Sequence, residues 1–304
     1  MSRRPASRPV PDRLVERALM ERFPLVGGMD EVGRGALAGP VTVGLAVVGA
    51  ATPEAFPAGL ADSKLLSARR REELVGPCQQ WLEDWALGSS TPGEIDAHGI
   101  VGALRLAGLR ALAQVAARGH LPDVVVLDGS ADWLSRPHED LLTTLTGRPG
   151  AGNQVPGAGR AQALGASEAR ALATGRPEGG PGIGGPEDAG TGGLEGAGTG
   201  EAGARAPGEY GAPLPPGLTP PVRTRVKADA HCAVVAAASV LAKVHRDGLM
   251  RQLEDPGYGW ASNKGYAARA HVEGLARLGA SDQHRRSWRL PGLEKHERQG
   301  MIIQ

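Results

Sequence analysis

The chain has 304 residues, 41% of them hydrophobic, enough to build a substantial core, and its 34 basic and 33 acidic residues leave a formal charge of +1. That balance excludes a uniformly basic nucleic-acid binder, so any phosphate-binding surface has to be local. Two cysteines, Cys78 and Cys232, make neither a disulfide framework nor a zinc pattern, and no run of about 18 uncharged apolar residues follows the basic start or occurs elsewhere, which excludes a disulfide scaffold and a membrane span.

A soluble, cytoplasmic protein with structural thiols is expected. Residues 1–22 read as a basic, flexible N-terminal tail. The apolar run 25–29 and the β-branched run Pro40 to Val48 read as strands, joined by the Gly-rich segment Asp30 to Gly39. Ser67 stands where an N-cap belongs, ahead of a helix from Ala68, and Trp85 to Ser89 reads as a third strand. From Ile100 to Arg118, Leu104, Ala107, Leu109, Leu112 and Val115 fall near helical spacing, ended by Gly119 and Pro122. Val124 to Leu127 is a buried strand that ends at Asp128.

Residues 149–221 hold 21 Gly and 11 Pro, no Lys and only scattered aliphatics, a composition that does not bury enough apolar area to offset its ordering entropy. They read as a disordered insertion, tolerable because loop closure costs grow only logarithmically with length. Beyond it come a short strand from Val222 to Val226, an Ala-rich helix from about His231 to Arg246, and a helix from Ala267 to Leu278 ended by Gly279. The order predicts an α/β fold with a mixed central β-sheet flanked by helices, a C-terminal helical extension and the long insertion. Its folded domain would comprise residues 23–148 and 222–292, followed by a C-terminal tail, 293–304.

Four acids sit at strand ends: Asp30 and Glu31 just past the first strand, Asp128 at the end of the buried one, and Asp229 past the strand that follows the insertion. Carboxylates without His or Cys are hard-oxygen donors suited to Mg²⁺ or Mn²⁺ rather than zinc. Two such ions about 3.5 to 4 Å apart would clamp the attacking water and the leaving oxygen of a phosphodiester in line. Singly, each acid has a plainer reading: a solvated turn for Asp30 and Glu31, a turn dipeptide for Asp128-Gly129, a helix cap for Asp229. The Gly33-x-Gly35 pattern is no dinucleotide loop, because a strand follows where that motif needs a helix.

Several strings, in order, resemble bacterial ribonuclease HII, the type two ribonuclease H. They are Asp30-Glu31-Val32-Gly33-Arg34-Gly35 with Gly39-Pro40, Asp62-Ser63-Lys64 with Leu66-Ser67, Asp128-Gly129, Lys227-Ala228-Asp229, Ala237 to Val244 with Arg246-Asp247, Lys264-Gly265-Tyr266, and His284-Arg285-Arg286-Ser287. The resemblance covers about residues 25–147 and 222–290. It implies an RNase H-like fold and catalytic, metal-binding roles for Asp30, Glu31, Asp128 and Asp229, with two ions per site. It further implies that Gly33, Arg34 and Gly35 read the ribose 2′-hydroxyl and that Tyr266 stacks on the next, deoxyribose, sugar. Lys64, Ser239 and Lys243 are implied phosphate contacts, the last two sharing a helix face. His284-Arg285-Arg286 reads as a basic cluster along the nucleic-acid backbone or as a charged surface turn. Ala228 departs from the Gly that many relatives have there, adding one methyl beside Asp229.

The expected activity is endonucleolytic hydrolysis of the RNA-containing strand of RNA/DNA hybrids and nicking 5′ of single ribonucleotides in duplex DNA, serving removal of misincorporated ribonucleotides, by a monomer without membrane contact. Alternatives are a type three ribonuclease H acting mainly on long hybrids, and a non-catalytic hybrid-binding module. A sliding-clamp peptide at Gln299 to Gln304 lacks the usual aromatic pair.

Overall fold

A computed structural model describes residues 10–135, 210–215 and 217–293. Strands β1 (Val26–Val32) and β2 (Val41–Val48) form an antiparallel hairpin, and β3 (Asp84–Ser90) joins the outer side of β2. On the other side β4 (Val124–Asp128) and β5 (Val222–Arg225) add in parallel, giving the order β3-β2-β1-β4-β5. The helices are α1 (Leu14–Met20), α2 (Ala68–Trp81), α3 (Pro92–Ala117), α4 (Ala228–His231), α5 (Ala233–Gln252), α6 (Trp260–Asn263) and α7 (Arg269–Leu278). The mixed sheet with helical flanks is the architecture expected from the sequence.

Alternation along the strands assigns the two cores. Val26, Ala46, Val48, Val124 and Val126 pack with α5, whereas Met29, Val43, Leu45, Val125 and Leu127 pack with α3. Each such Val, Leu or Met side chain removed from water contributes about 1.5–3 kcal/mol. Helix α5 lies unusually close to the sheet: a Cβ on Gly44 would stand 2.3 Å from the Ala238 carbonyl oxygen. Alanines at 236–238 and 242 let the helix approach, and the approach carries Ser239 to Asp30. Helix α3 is long and apolar enough by length and composition to cross a membrane; it packs on β2 and β3 and carries Arg105 and Arg110.

Several boundaries differ from expectation. Strand β1 runs through Asp30 and Glu31 to Val32, because β2 keeps pairing with it beyond Met29, where β4 stops. The acids thus lie on the strand itself. Helix α3 starts at Pro92, where Thr91 and Glu94 form a reciprocal capping box, and it breaks at Gly99 (φ 67°), so the expected start at Ile100 is its second segment. The helix expected from His231 is two, α4 and α5, separated by Cys232 in an extended conformation.

The expected flexible tail through residue 22 does not hold for residues 10–22. Helix α1 buries Glu16 fully, and its Oε1 accepts from the Val234 N–H at 2.9 Å. The first turn of α5 leaves N–H groups without helical partners, and this segment supplies them. Most of the expected insertion, and residues 294–304 of the C-terminal tail, lie outside the described residues. Its last residues are structured, however. Leu214 is buried beside α3 with its N–H on the Leu109 carbonyl, and Arg110 Nε donates to the Gly211 carbonyl at 3.0 Å.

Cys78 and Cys232 are free and buried, and burial pushes both thiols up to about 12. A thiol reagent at neutral pH is therefore expected to leave the native protein unmodified and to titrate two equivalents after unfolding. Rapid labelling of either thiol in the folded protein would contradict this packing.

Candidate active site

Strands β1 and β4 run parallel, so Asp30 and Glu31 near the end of one stand beside Asp128 at the end of the other. Lys227, in the left-handed conformation at φ 57°, turns the chain from β5 into α4 and presents Asp229. The Ala228 N–H donates to Asp128 Oδ1 at 2.7 Å, tying the end of β4 to the start of α4. The methyl at 228 is buried and leaves both acids in place.

Burial and neighbouring carboxylates raise Asp30, Glu31 and Asp229. Burial pushes the Asp30 carboxyl up to about 8; the Ser239 hydroxyl opposes this, and the charges of Glu31, Asp128 and Asp229 reinforce it. Burial also raises Glu31, against the pull of Arg34, whose Nη1 lies 3.3 Å from Oε1, and Glu31 Oε2 is buried with no hydrogen-bond partner. Asp229 is raised by burial and by Asp128, while Lys64 Nζ, 3.3 Å from its Oδ2, draws it down. Among the described residues no three His, Cys, Asp or Glu side chains are gathered closely enough to hold a metal ion as they stand. What they form is a crowded set of hard oxygen donors, one orphaned and one holding its proton, whose repulsion a divalent cation would relieve.

Asp30, Glu31 and Asp128 face a cleft of about 270 Å³ that is also lined by Gly33, Arg34, Gly35, Ser63, Lys64, Lys243 and Tyr266. Most of the residues singled out in the sequence therefore do converge. Asp229 stands just behind the lining through its ion pair with Lys64. Ser239 does not reach the opening: it is fully buried, and its hydroxyl lies 2.8 Å from Ser63 Oγ and interacts with Asp30, which makes it a support for that acid instead of a phosphate contact. Lys243 pairs with Asp247 at the cleft wall.

Two fully buried arginines build the glycine loop. Arg246 donates to the carbonyls of Pro40, Lys264 and Ala38 at 2.8, 3.0 and 3.2 Å. Arg285 donates to those of Arg34, Gly33 and Gly39 at 2.8, 2.6 and 3.2 Å. The Leu37 and Ala38 N–H groups meet the Gly265 carbonyl, so the loop carrying Gly33 and the turn carrying Tyr266 are one stitched unit. The Arg246 guanidinium also lies 5.7 Å from the Tyr266 ring centroid. Burial pushes Arg285 down to about 9, a measure of how fully it is withdrawn from water. The sequence reading of His284-Arg285-Arg286 as an exposed basic cluster is thus corrected: His284 and Arg285 are buried, and only Arg286 is exposed. Nothing in the local pattern separates such an arginine from a surface one, and membership in a matched string was the only signal.

Carboxylates thus gather at the C-terminal ends of parallel strands, in a mixed five-stranded sheet above a backbone-lined cleft. The family model described as Ribonuclease HII matches residues 27–101 and 204–290, segments that contain Asp30, Glu31 and Asp229 and leave Asp128 between them. Ribonuclease HII of Streptomyces avermitilis is 33% identical over 91% of this chain and 83% of its own length. That of Streptomyces griseus subsp. griseus is 34% identical over 91% and 84%. The solved structure of ribonuclease H2 from Pyrococcus horikoshii OT3 aligns over 90% of this chain and 98% of its own, with 20% identity and a TM-score of 0.46. The chain belongs to the ribonuclease HII family and is a ribonuclease H. The match from residue 204 agrees with the folded residues found ahead of 222.

Proposed function

We propose that this enzyme hydrolyses the RNA-containing strand of RNA/DNA hybrids and nicks 5′ of single ribonucleotides embedded in duplex DNA, leaving 3′-hydroxyl and 5′-phosphate ends. The observation that carries this reading is one cleft that brings Asp30, Glu31 and Asp128 together with the Gly33-Arg34-Gly35 backbone and the Tyr266 ring. Asp30, Glu31, Asp128 and Asp229 would hold two Mg²⁺ or Mn²⁺ ions, which when bound supply Lewis-acid activation of water and of the leaving oxygen. The orphaned Glu31 Oε2 and the proton-holding Asp30 support that assignment.

The chain's own groups position the rest. The Ser239 hydroxyl and the Ala228 N–H orient Asp30 and Asp128. Lys64 and Lys243 stand at the cleft as point charges for phosphate oxygens. A Cβ on Gly35 would meet nothing within 4 Å, so that backbone is open to close approach by a 2′-hydroxyl. Tyr266, 37% exposed, offers an aromatic face to the following sugar, where a 2′-oxygen would crowd it. In this reading the protein acts as a monomer in the cytoplasm, without a membrane step.

The test is an end-labelled DNA duplex with one internal ribonucleotide, incubated with the protein and Mg²⁺, Mn²⁺ or EDTA. A single metal-dependent nick on the 5′ side is expected. Cleavage confined to long hybrids would move the assignment to a type three activity, and binding without cleavage under either metal would reduce the chain to a hybrid-binding module.

A further inference from the structure

Beneath the Tyr266 turn lie two histidines that the cleft does not touch, His271 and His284, 0% and 1% exposed. Their Nε2 atoms face each other at 3.0 Å, a geometry that requires one to donate and the other to accept. Groups that can only donate decide which. The Ser281 backbone N–H points at His284 Nδ1 at 3.0 Å, so that nitrogen is bare and His284 has its proton on Nε2. The Trp260 indole N–H points at His271 Nε2 at 3.4 Å, on the side that also receives His284. His271 therefore has its proton on Nδ1, and that atom lies 2.9 Å from the Tyr266 carbonyl oxygen. Both rings are neutral near pH 7, since burial lowers each, His284 to about 4; Arg286 beside His284 adds to the lowering, while Asp255 mildly favours charge on His271. A second proton on either ring would set two N–H groups against each other.

We propose that His271 and His284 are positioning residues for sugar discrimination: a one-directional hydrogen-bond chain from Ser281 through His284 and His271 ends on the Tyr266 carbonyl and sets the angle at which the Tyr266 ring meets the sugar after the ribonucleotide. The proposal rests on the assignment of Tyr266 made above. The same carbonyl also accepts from the Ala268 N–H at 2.7 Å, and the Tyr266 N–H donates to the Asn263 carbonyl at 3.0 Å, so His271 is the side chain that joins these backbone bonds at that carbonyl. Lys264 and Gly265 are both at positive φ, 54° and 82°, so the backbone reaches Tyr266 through two left-handed residues, and a small loss of restraint there rotates the ring.

The two amide replacements of His271 separate this role from packing. Asparagine places an N–H where Nδ1–H stands and keeps the bond to Tyr266, whereas glutamine keeps a polar atom at the Nε2 end and loses that bond. The quantity to measure is the ratio of kcat/KM on a duplex with one ribonucleotide to kcat/KM on a duplex in which the following sugar is also ribose. His271→Gln is expected to lower the ratio about tenfold, the effect of one directed hydrogen bond, with His271→Asn close to wild type and both melting at similar temperatures. If Tyr266→Ala collapses the ratio while His271→Gln keeps it, the positioning role is overturned and the reading of Tyr266 stands. If Tyr266→Ala itself leaves the ratio unchanged, both fall together, a distinguishable pattern. Nitrogen-15 spectra of the wild-type imidazoles give a readout free of folding defects: protons on His271 Nδ1 and His284 Nε2 are expected, and a proton on His271 Nε2 would overturn the chain's direction.

Discussion

Asp30→Asn is expected to abolish hydrolysis with the fold intact and, in metal-free protein, to flatten the dependence of stability on pH. Asp30 is 3% exposed, and its carboxyl is pushed from 3.8 up to about 8, chiefly by burial. Between roughly pH 4 and 8 the folded protein therefore keeps a proton that the unfolded chain has released. A folded pKa raised above the unfolded one means that stability falls as pH rises through this window, by at most about 1.4 kcal/mol per pH unit for one proton, and levels off above it. Glu31 and Asp229 are raised too and add slopes of the same sign, so the difference between variant and wild type isolates Asp30. A divalent cation competes with the proton, so the rise in Tm caused by Mg²⁺ should grow with pH in the wild type and be much smaller in the variant. Thermal unfolding at several pH values, with EDTA or Mg²⁺, checks both points. Wild-type cleavage by Asp30→Asn, or identical pH slopes in the two proteins, would sink this account of the site.

Alanine at Gly33 and at Gly35, two residues apart in one loop, should fail in different ways. Gly33 has φ 88°, and a Cβ there would sit 2.0 Å from Arg246 Nε. The arginine has nowhere to move, because its nitrogens are committed to the Pro40, Lys264 and Ala38 carbonyls. Strain of about 1–3 kcal/mol then combines with disruption of buried charged hydrogen bonds, so a total loss of about 3 kcal/mol or more is expected. Gly35 has no left-handed backbone and open space around its Cβ position. Its alanine variant should keep wild-type stability to within about 0.5 kcal/mol, yet kcat/KM should drop at least about tenfold through a methyl placed between the backbone and the 2′-hydroxyl. Denaturant unfolding and steady-state cleavage of the single-ribonucleotide duplex resolve the pair. A Gly35→Ala enzyme with normal turnover would remove this part of the loop from the substrate interface.

The sequence by itself determined the pieces whose cause is local. β-Branched runs marked β2 and β4, Ser67 capped α2, and the alanine-rich stretch marked α5 as a helix. The four acids were legible because each lies at or just past a segment that reads as a strand, and strand ends are where a sheet gathers side chains from distant segments. Tertiary structure decided what depends on a partner far along the chain. Strand β1 extends through Asp30 and Glu31 because β2 continues beside it, and α1 docks because the open N–H groups of α5 meet Glu16 and the core receives Val15 and Leu19. Arg285 reads as a surface charge until the fold sets the Gly33 carbonyl before it from 252 positions away. Whether a charged or imidazole side chain is buried is fixed by the donors and acceptors waiting at its destination, and for Arg246, His271, His284 and Arg285 those groups come together only when the Gly33 loop, the Tyr266 turn and the segment after α7 close on one another.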